Sequence, residues 1–446
     1  MNEAVLKIEK MAFGGAGFGR LNGKACFVPF TAPGDRVKIR VIKERLSYLE
    51  GALVELLEPS GRRVTPPCPV FGICGGCHWQ HLSYTDQLAE KEEIFAGFLW
   101  RSGRVERERI EAIAPAPEPL GYRSRIQLKV HCAGNKPQIG FYRAGSHRVV
   151  DIPEICAIAH PRLNRHIGAL RSVLAAFPEA EKIPQIDAAV GDDGRTELVI
   201  HYIGNRTEET GRHFGKSSHS PEADAIFLQT GRKATLQKIA GEDSPALSYM
   251  VPGPSVTGPS GYRLEISNGG FSQVNYQQNL ALIGIVNSWA GLTGRERVLD
   301  IFCGNGNFSL PLAGNAAHVL GVENYLPSIT SARRNCAAYD IRNISFQCED
   351  AVNAIKRLVS APDKFDLVFL DPPRTGAADV VRMIPALQPQ RIIYVSCDPA
   401  TLARDIGILK KFDYEVVKSR PVDMFPQTYH IESVTLLEPK KKNMHI

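Results

Sequence analysis

Several features are scarce or missing in this chain of 446 residues. No apolar run reaches the ~18 residues that a membrane-spanning helix needs, which excludes a helical membrane protein. Met1–Lys10 alternates charge and has no apolar core, so the chain reads as unexported and cytoplasmic. No internal repeat is visible. Neither sign of charge dominates: 53 basic and 47 acidic residues leave a net +6, which permits a nucleic-acid partner without demanding one. Without an export signal, the ten cysteines do not read as a disulfide framework. In a reducing compartment they read as metal ligands, catalytic thiols or core packing. Hydrophobic residues at 43% and charged residues at 22% are ordinary for a globular protein, which excludes a disordered, collagenous or coiled-coil chain. At about 150 residues per domain, the length implies about three domains.

Residues 1–60 read as a small β-barrel. Val37, Ile39 and Val41 alternate with mostly polar neighbours, and Thr31–Asp35 is a turn signal. Gly14–Gly19 reads as a tight connection, and Arg62–Pro69 as a basic, proline-rich linker. A helix is predicted over Tyr84–Arg104. Residues 120–260 are mixed, with strands at Arg125–Val130, Gln138–Tyr142 and Glu197–Ile203, and flexible hairpin loops over Asn205–Ser244. Pro252–Gly261 reads as a connection, and the lysines at 440–442 as a solvated tail. From about residue 296 strands and helices alternate. The strand candidates are Val298–Phe302, His318–Val322, Ile344–Cys348, Phe365–Leu370 and Arg391–Ser396, followed by Tyr414–Ser419 and Ile431–Leu437. This is the pattern of a doubly wound α/β sheet.

The chemistry gathers at the carboxyl ends of those strands, where open α/β sheets bind ligands. The first strand runs into Cys303-Gly-Asn-Gly-Asn-Phe308, whose glycines let the backbone turn close to a ligand. Ser309 stands where a dinucleotide fingerprint has its third glycine. Glu323 ends the second strand, where a carboxylate can accept from ribose hydroxyls, and Asp350 follows the third, within reach of an adenine amino group. The fourth strand ends in Asp371-Pro-Pro-Arg374. Together these favour S-adenosylmethionine over NAD; the plainer reading is carboxylates that cap helices. The fifth strand ends in Ser396-Cys-Asp-Pro399, which places the Cys397 thiol on the ligand face as a nucleophile rather than a packing residue. Cys26, Cys132, Cys336 and Cys348 fit packing. Cys68, Cys74 and Cys77, spaced C-x5-C-x2-C, suggest a zinc or iron–sulfur clamp whose fourth ligand is Cys132 or Cys156. No second short pair follows, unlike a zinc ribbon.

Phe271-Ser-Gln-Val-Asn275, Asp300–Phe308, Asp371–Arg374, Ser396–Pro399 and His430-Ile-Glu432, in that order and spacing, resemble the RNA uracil-5-methyltransferase family over nearly the whole chain, its 23S ribosomal RNA branch most closely. The resemblance implies three parts: a TRAM domain at 1–60 (an OB-like RNA-binding barrel), a central α+β iron–sulfur domain at 61–260, and a Rossmann-like methyltransferase domain at 261–446. It implies that the helix near 84–104 packs on the catalytic domain. By the same resemblance Cys397 adds to carbon 6 of uracil, the methyl passes from S-adenosylmethionine to carbon 5, and Glu432 removes the carbon 5 proton. Asp371 orients base and cofactor. Gln273, Phe302, Asn307, Glu323 and Asp350 match cofactor positions, Gln273 also reaching the uracil. The target base leaves its stack, with Phe271 as a stacking partner or a core aromatic. The resemblance selects Cys156 as fourth ligand, followed here by Ala157 where the family has proline, and makes the metal a [4Fe-4S] cluster. It implies structured RNA as partner and a monomer. The alternatives are the T-loop uridine of tRNA, an iron–sulfur NAD oxidoreductase, and a non-catalytic RNA-binding protein.

Overall fold

The computed structural model describes residues 3–133, 136–216, 222–232, 235–241, 247–253, 260–266, 270–361 and 364–440. Most of the expected 252–261 connection and the tail beyond Lys440 lie outside the described residues. The chain divides into two compact units. One takes Met1–Ile94, Pro117–Ser244 and Phe425–His430; the other takes Phe95–Ala116, Pro245–Met424 and Ile431–Ile446. Among the described residues no helix is long and apolar enough to cross a membrane.

The first unit opens with alternating strands β1 (Glu3–Met11), β2 (Gly17–Leu21), β3 (Lys24–Val28), β4 (Arg36–Glu44) and β5 (Tyr48–Glu58). They close into a barrel of order β1-β2-β3-β5-β4, antiparallel except for β3 with β5. Leu6, Ile8, Cys26, Val28, Val37 and Ile39 point inward and fill it. Two expectations need correction. The glycine run is not all connection, because β2 begins at Gly17. Inside that strand a Cβ on Gly19 would lie 2.4 Å from the Lys7 carbonyl of β1. Nor is the segment after the barrel a free linker. Arg63 holds the buried Asp35 carboxylate by Nε (2.9 and 3.1 Å) and Nη2 (2.7 Å), and Arg62 reaches Glu90 at 2.9 Å.

Helix α1 (Tyr84–Gly103) follows as predicted. Its first half, to Ile94, counts with the first unit and its second half with the other. The next sheet contains β6 (Arg125–Ala133), β7 (Lys136–Tyr142), β8 (Val149–Asp151), β9 (Gln185–Val190), β10 (Thr196–His201), β11 (Ala225–Gln229) and β12 (Leu236–Gly241), in the order β12-β11-β10-β9-β6-β7-β8. Helix α2 (Pro161–Ala176) buries Leu163, Ile167, Leu170 and Val173 against Ile126, Leu128, Ile139 and Ile186. The expected loops over 205–244 instead contain helix α3 (Thr207–Lys216) and strands β11 and β12. Two of the glycines that read as loop signals, Gly211 and Gly215, are small residues on the side of α3 facing Ile239 of β12.

In the second unit β13 (Ser248–Pro252) and β14 (Gly261–Glu265) form an antiparallel pair ahead of helix α4 (Tyr276–Ala290). Then come β15 (Arg297–Ile301), α5 (Ser309–Ala313), β16 (His318–Glu323), α6 (Leu326–Ala337), β17 (Ile344–Cys348), α7 (Ala351–Val359), β18 (Leu367–Leu370), α8 (Ala378–Val381), β19 (Arg391–Ser396), α9 (Pro399–Leu409), β20 (Tyr414–Val422) and β21 (Glu432–Pro439). The sheet order is β17-β16-β15-β18-β19-β21-β20. The first five strands are parallel and β21 runs against both its neighbours. Strands such as Leu367–Leu370, buried at every position, are continuous apolar runs because both sheet faces are covered. The order reverses between β15 and β18, which opens the ligand crevice at their carboxyl ends. The far end of α1 stays with this unit: Lys410 Nζ donates to the carbonyls of Gly103 (3.1 Å) and Arg104 (3.0 Å).

Candidate active site

Three parallel strands end level with one another. Ile301 pairs with Val322 on one side and Leu370 on the other, so the next residues, Phe302, Glu323 and Asp371, stand at one edge. Beyond β15 the chain turns sharply, with φ of +69° at Phe302, +55° at Gly304 and +91° at Gly306. Ser309, in place of a third glycine, donates its hydroxyl to Asp300 Oδ2 at 2.5 Å. Asp300 Oδ1 remains buried with no hydrogen-bond partner among the described residues. Burial pushes the Asp300 carboxyl up to about 7; the Ser309 bond opposes this, and the charges of Asp371 and Glu323 add to it. A lone buried acceptor beside a glycine turn suits a ligand that brings a donor, as the ammonium group of S-adenosylmethionine does.

The other sequence-selected residues have mixed surroundings. Asn307 is locked: its Oδ1 accepts from Asn279 (2.9 Å) and Tyr249 (3.1 Å), and its Nδ2 donates back to Asn279 Oδ1 at 2.9 Å. Tyr249 is buried on β13, and no sequence signal marked it or Asn279. Glu323 Oε1 accepts from the Tyr325 amide at 2.8 Å. Asp350 Oδ1 caps α7 by accepting from Val352 (3.0 Å) and Asn353 (3.2 Å), so one of its oxygens does what the plainer reading expected. Gln273 is half-buried on the approach to α4, with no hydrogen bond to another described residue. Phe271 is 71% exposed and therefore not a core aromatic.

Next along the sheet, β19 and β21 pair through Ser396 and Ser433. One step further in that antiparallel register, Cys397 and Glu432 stand opposite each other. Ser433 fastens the end of the ladder by donating its hydroxyl to the Ser396 carbonyl at 3.3 Å. Asp398 caps α9, accepting from Ala400 and Thr401 at 2.9 Å, so the helix begins directly after the thiol. Burial raises the Glu432 carboxyl well above its ordinary range; the Asp371 charge adds to this and Arg374 opposes it. Burial likewise raises Asp371. The Cys397 thiol is pushed up to about 12 by burial first, then by the charges of Glu432 and Asp371, with Arg374 opposing. The structure thus brings Cys397, Glu432, Asp371 and Arg374 into one electrostatic group. Arg374 was visible in the sequence only as part of a motif.

The four remaining sequence-selected cysteines lie in the first unit. Cys68, Cys74 and Cys77 precede α1, and Cys156 precedes α2. No group of three His, Cys, Asp or Glu side chains among the described residues could hold a metal ion as placed. The thiols are nonetheless neighbours. Burial raises Cys74 to about 11 and Cys77 to about 12, and in both cases the charges of Cys156 and Cys68 push the same way. Cys132, the other alternative as fourth ligand, responds to burial and to Glu181 instead. Cys26 and Cys336 are buried as expected, whereas Cys348 is exposed: β17 is an edge strand and its end faces solvent.

The model of the tRNA (uracil-5-)-methyltransferase family matches residues 255–440, and the TRAM domain matches residues 5–54. The chain is 34% identical to the 23S rRNA (uracil(1939)-C(5))-methyltransferase RlmD of Methylococcus capsulatus, over 97% of this chain and 96% of the relative. It is also 34% identical to an RNA methyltransferase of Thermosynechococcus vestitus, over 97% of each chain. Among solved structures, the tRNA (uracil-54, C5)-methyltransferase of Pyrococcus abyssi, in complex with S-adenosyl-L-homocysteine, superposes with a TM-score of 0.72 at 25% identity, covering 97% of this chain and 100% of its own. With its five-stranded TRAM barrel and its methyltransferase sheet, this chain belongs to the S-adenosylmethionine-dependent RNA uracil-5-methyltransferase family.

Proposed function

We propose that the chain methylates carbon 5 of a uridine in 23S ribosomal RNA, through a covalent adduct on Cys397. The observation that carries this reading is the register that sets Glu432 opposite Cys397, with Asp371 and Arg374 in the same charge group. S-adenosylmethionine, when bound, supplies an electrophilic methyl group. Gln273, Phe302, Asn307, Glu323, Asp350 and Asp371 would hold it, together with the orphaned Asp300 oxygen.

The sulfur of Cys397 forms a bond to carbon 6 of the uracil, which makes carbon 5 nucleophilic. The thiol proton passes to the ionised Asp371 carboxylate, whose affinity for a proton burial raises. Once carbon 5 is methylated, Glu432 takes its remaining ring proton. The carbon–sulfur bond then breaks, and the departing thiolate recovers the proton held on Asp371. Glu432 releases its proton to water, which completes the balance. The exposure of Phe271 supports its assignment as a stacking partner for an RNA base.

The TRAM barrel and the names of the full-length relatives support ribosomal RNA as substrate; the Pyrococcus neighbour supports the tRNA alternative. We assign residues 1–60 to RNA binding, 61–260 to the central domain and 261–446 to methyl transfer, in a monomeric cytoplasmic enzyme. We further assign Cys68, Cys74, Cys77 and Cys156 as ligands of a [4Fe-4S] cluster. Thiolate sulfur is the ligand type that iron–sulfur clusters take, and a cubane spreads its ligands over four corners rather than around one ion.

One experiment tests both chemistry and substrate. The protein is incubated with S-adenosylmethionine and either 23S rRNA or tRNA in which uridine is replaced by 5-fluorouridine, whose fluorine cannot be removed as a proton. Wild type is expected to trap 23S rRNA covalently and Cys397→Ala to trap neither. Trapping of tRNA alone would overturn the ribosomal assignment, and trapping by Cys397→Ala would overturn the nucleophile.

A further inference from the structure

Asp405 has no part in the chemistry above, yet it is a fully buried carboxylate in the same unit. It lies on α9, the helix that starts just beyond Cys397. Its Oδ2 accepts from the Ala377 amide at 2.8 Å and from the Tyr394 hydroxyl of β19 at 2.7 Å. Its Oδ1 accepts from Arg404 Nε at 2.8 Å. Arg404 in turn donates from Nη2 to the Thr375 carbonyl at 3.0 Å, and the Thr401 hydroxyl lies 3.5 Å from the Arg374 carbonyl. One face of α9 therefore touches the backbone of Arg374, Thr375 and Ala377 in succession. The loop between them has no slack. Gly376 has φ +73°, and a Cβ there would lie 2.5 Å from Arg404 Nη2 and 2.8 Å from Asp405 Oδ2.

That loop begins with Asp371 and carries Arg374, the two groups whose charges act on Cys397 and Glu432. The same helix is capped by Asp398, which fixes its start relative to the thiol. A buried charge with three donors is costly to create and costly to disturb, so it holds its partners in one arrangement.

We propose that Asp405 is a positioning residue for methyl transfer: from within α9 it fixes the Asp371–Ala377 loop relative to Cys397, at the start of the same helix. This inference rests on the proposed roles of Cys397 and Asp371.

The test compares wild type, Asp405→Asn and Arg404→Met. Arg404→Met is the milder change: it keeps the buried carboxylate and the two donors Ala377 and Tyr394, and it removes only the half-exposed third. Asp405→Asn is expected to lower kcat and the rate of 5-fluorouridine adduct formation by about 30-fold or more, with KM for RNA and the Kd for S-adenosylhomocysteine within about threefold of wild type. Arg404→Met is expected to lower kcat by about fivefold with the same unchanged affinities. A folded Asp405→Asn protein with wild-type kcat would overturn the inference. So would a loss confined to cofactor affinity, or, should Asp405→Asn not fold, a wild-type kcat in Arg404→Met. Trapping abolished by Cys397→Ala but unchanged in Asp405→Asn removes this inference alone. Trapping that persists in Cys397→Ala removes the reading beneath it.

Discussion

The proposed attack on carbon 6 requires the Cys397 thiol to lose its proton, and it sits where that is hard. Burial and the charges of Glu432 and Asp371 push it up to about 12. At pH 8 the thiolate is then about one part in ten thousand, against roughly a quarter for an unperturbed thiol near 8.5. Without RNA the proposed nucleophile is thus held protonated. The sign of the effect gives a direct measurement. Raising pH deprotonates the thiol, so alkylation of Cys397 by iodoacetamide without RNA, followed on its tryptic peptide, is expected to rise about tenfold per pH unit from 7 to 10 without levelling off. Asp371→Asn removes a negative neighbour, favours the thiolate, and is expected to speed alkylation at pH 8 by about tenfold. A plateau below pH 9 in wild type would show that the thiol is not held up. The proposed role of Cys397 is legible in its place at a strand's carboxyl end, whereas that of Glu432 comes only through the family motif: alone it reads as a surface carboxylate, and the structure buries it. Asp300 and Asp405 are not legible in the sequence: a buried acid looks like a solvated one until the elements packed around it are known.

At the scale of elements, the turn after β15 has two glycines with different demands. Gly304 has φ +55° and open space where a Cβ would stand, whereas Gly306 has φ +91° and Leu310 Cδ1 at 2.4 Å from that position. Gly304→Ala meets only backbone strain and is expected to cost about 1 kcal/mol. Gly306→Ala meets strain and a clash with a buried leucine, and is expected to cost about 3 kcal/mol and to weaken S-adenosylhomocysteine binding by about tenfold or more. Denaturant melts and calorimetric titration of the two variants check the ordering; equal losses would mean that the turn is not held by Leu310. The same physics explains which elements can be read from sequence. The parallel strands of the second unit stand out because each is a short apolar run ended by glycine, aspartate or proline. The segment around α3 does not, because Thr-Glu-Glu-Thr-Gly-Arg-His-Phe-Gly-Lys carries a single large apolar residue, Phe214, and its glycines, placed for close packing, mimic turn signals.

At the scale of the whole molecule, residues 68–77 and 156 lie far apart in sequence and reach one place within the first unit. The loop with Cys77 continues into His78 and Trp79, whose amides both donate to the Gln427 carbonyl, at 2.9 and 3.1 Å. Gln427 has φ +67° and is bracketed by the Gln87 side chain, with two bonds of 3.0 Å. Aromatic contacts add to this hold: Tyr429 packs on His78 with ring centroids 4.7 Å apart and on Phe13 at 5.4 Å. The strap Phe425–His430 is thus fastened to the cysteine loop, and the chain reaches Glu432 two residues after it ends. If a cluster ties the four thiols, its loss frees that loop first and the strap next. Protein purified without oxygen is expected to be brown and to contain about four irons per chain. Cys156→Ser is expected to lose the iron and visible colour, and chelation of the wild type to lower its melting temperature and to speed hydrogen exchange at the amides of His78 and Trp79. A colourless, zinc-loaded protein would overturn the cluster. Iron loss with unchanged exchange at those two amides would leave the cluster standing but detach it from the strap that leads to Glu432.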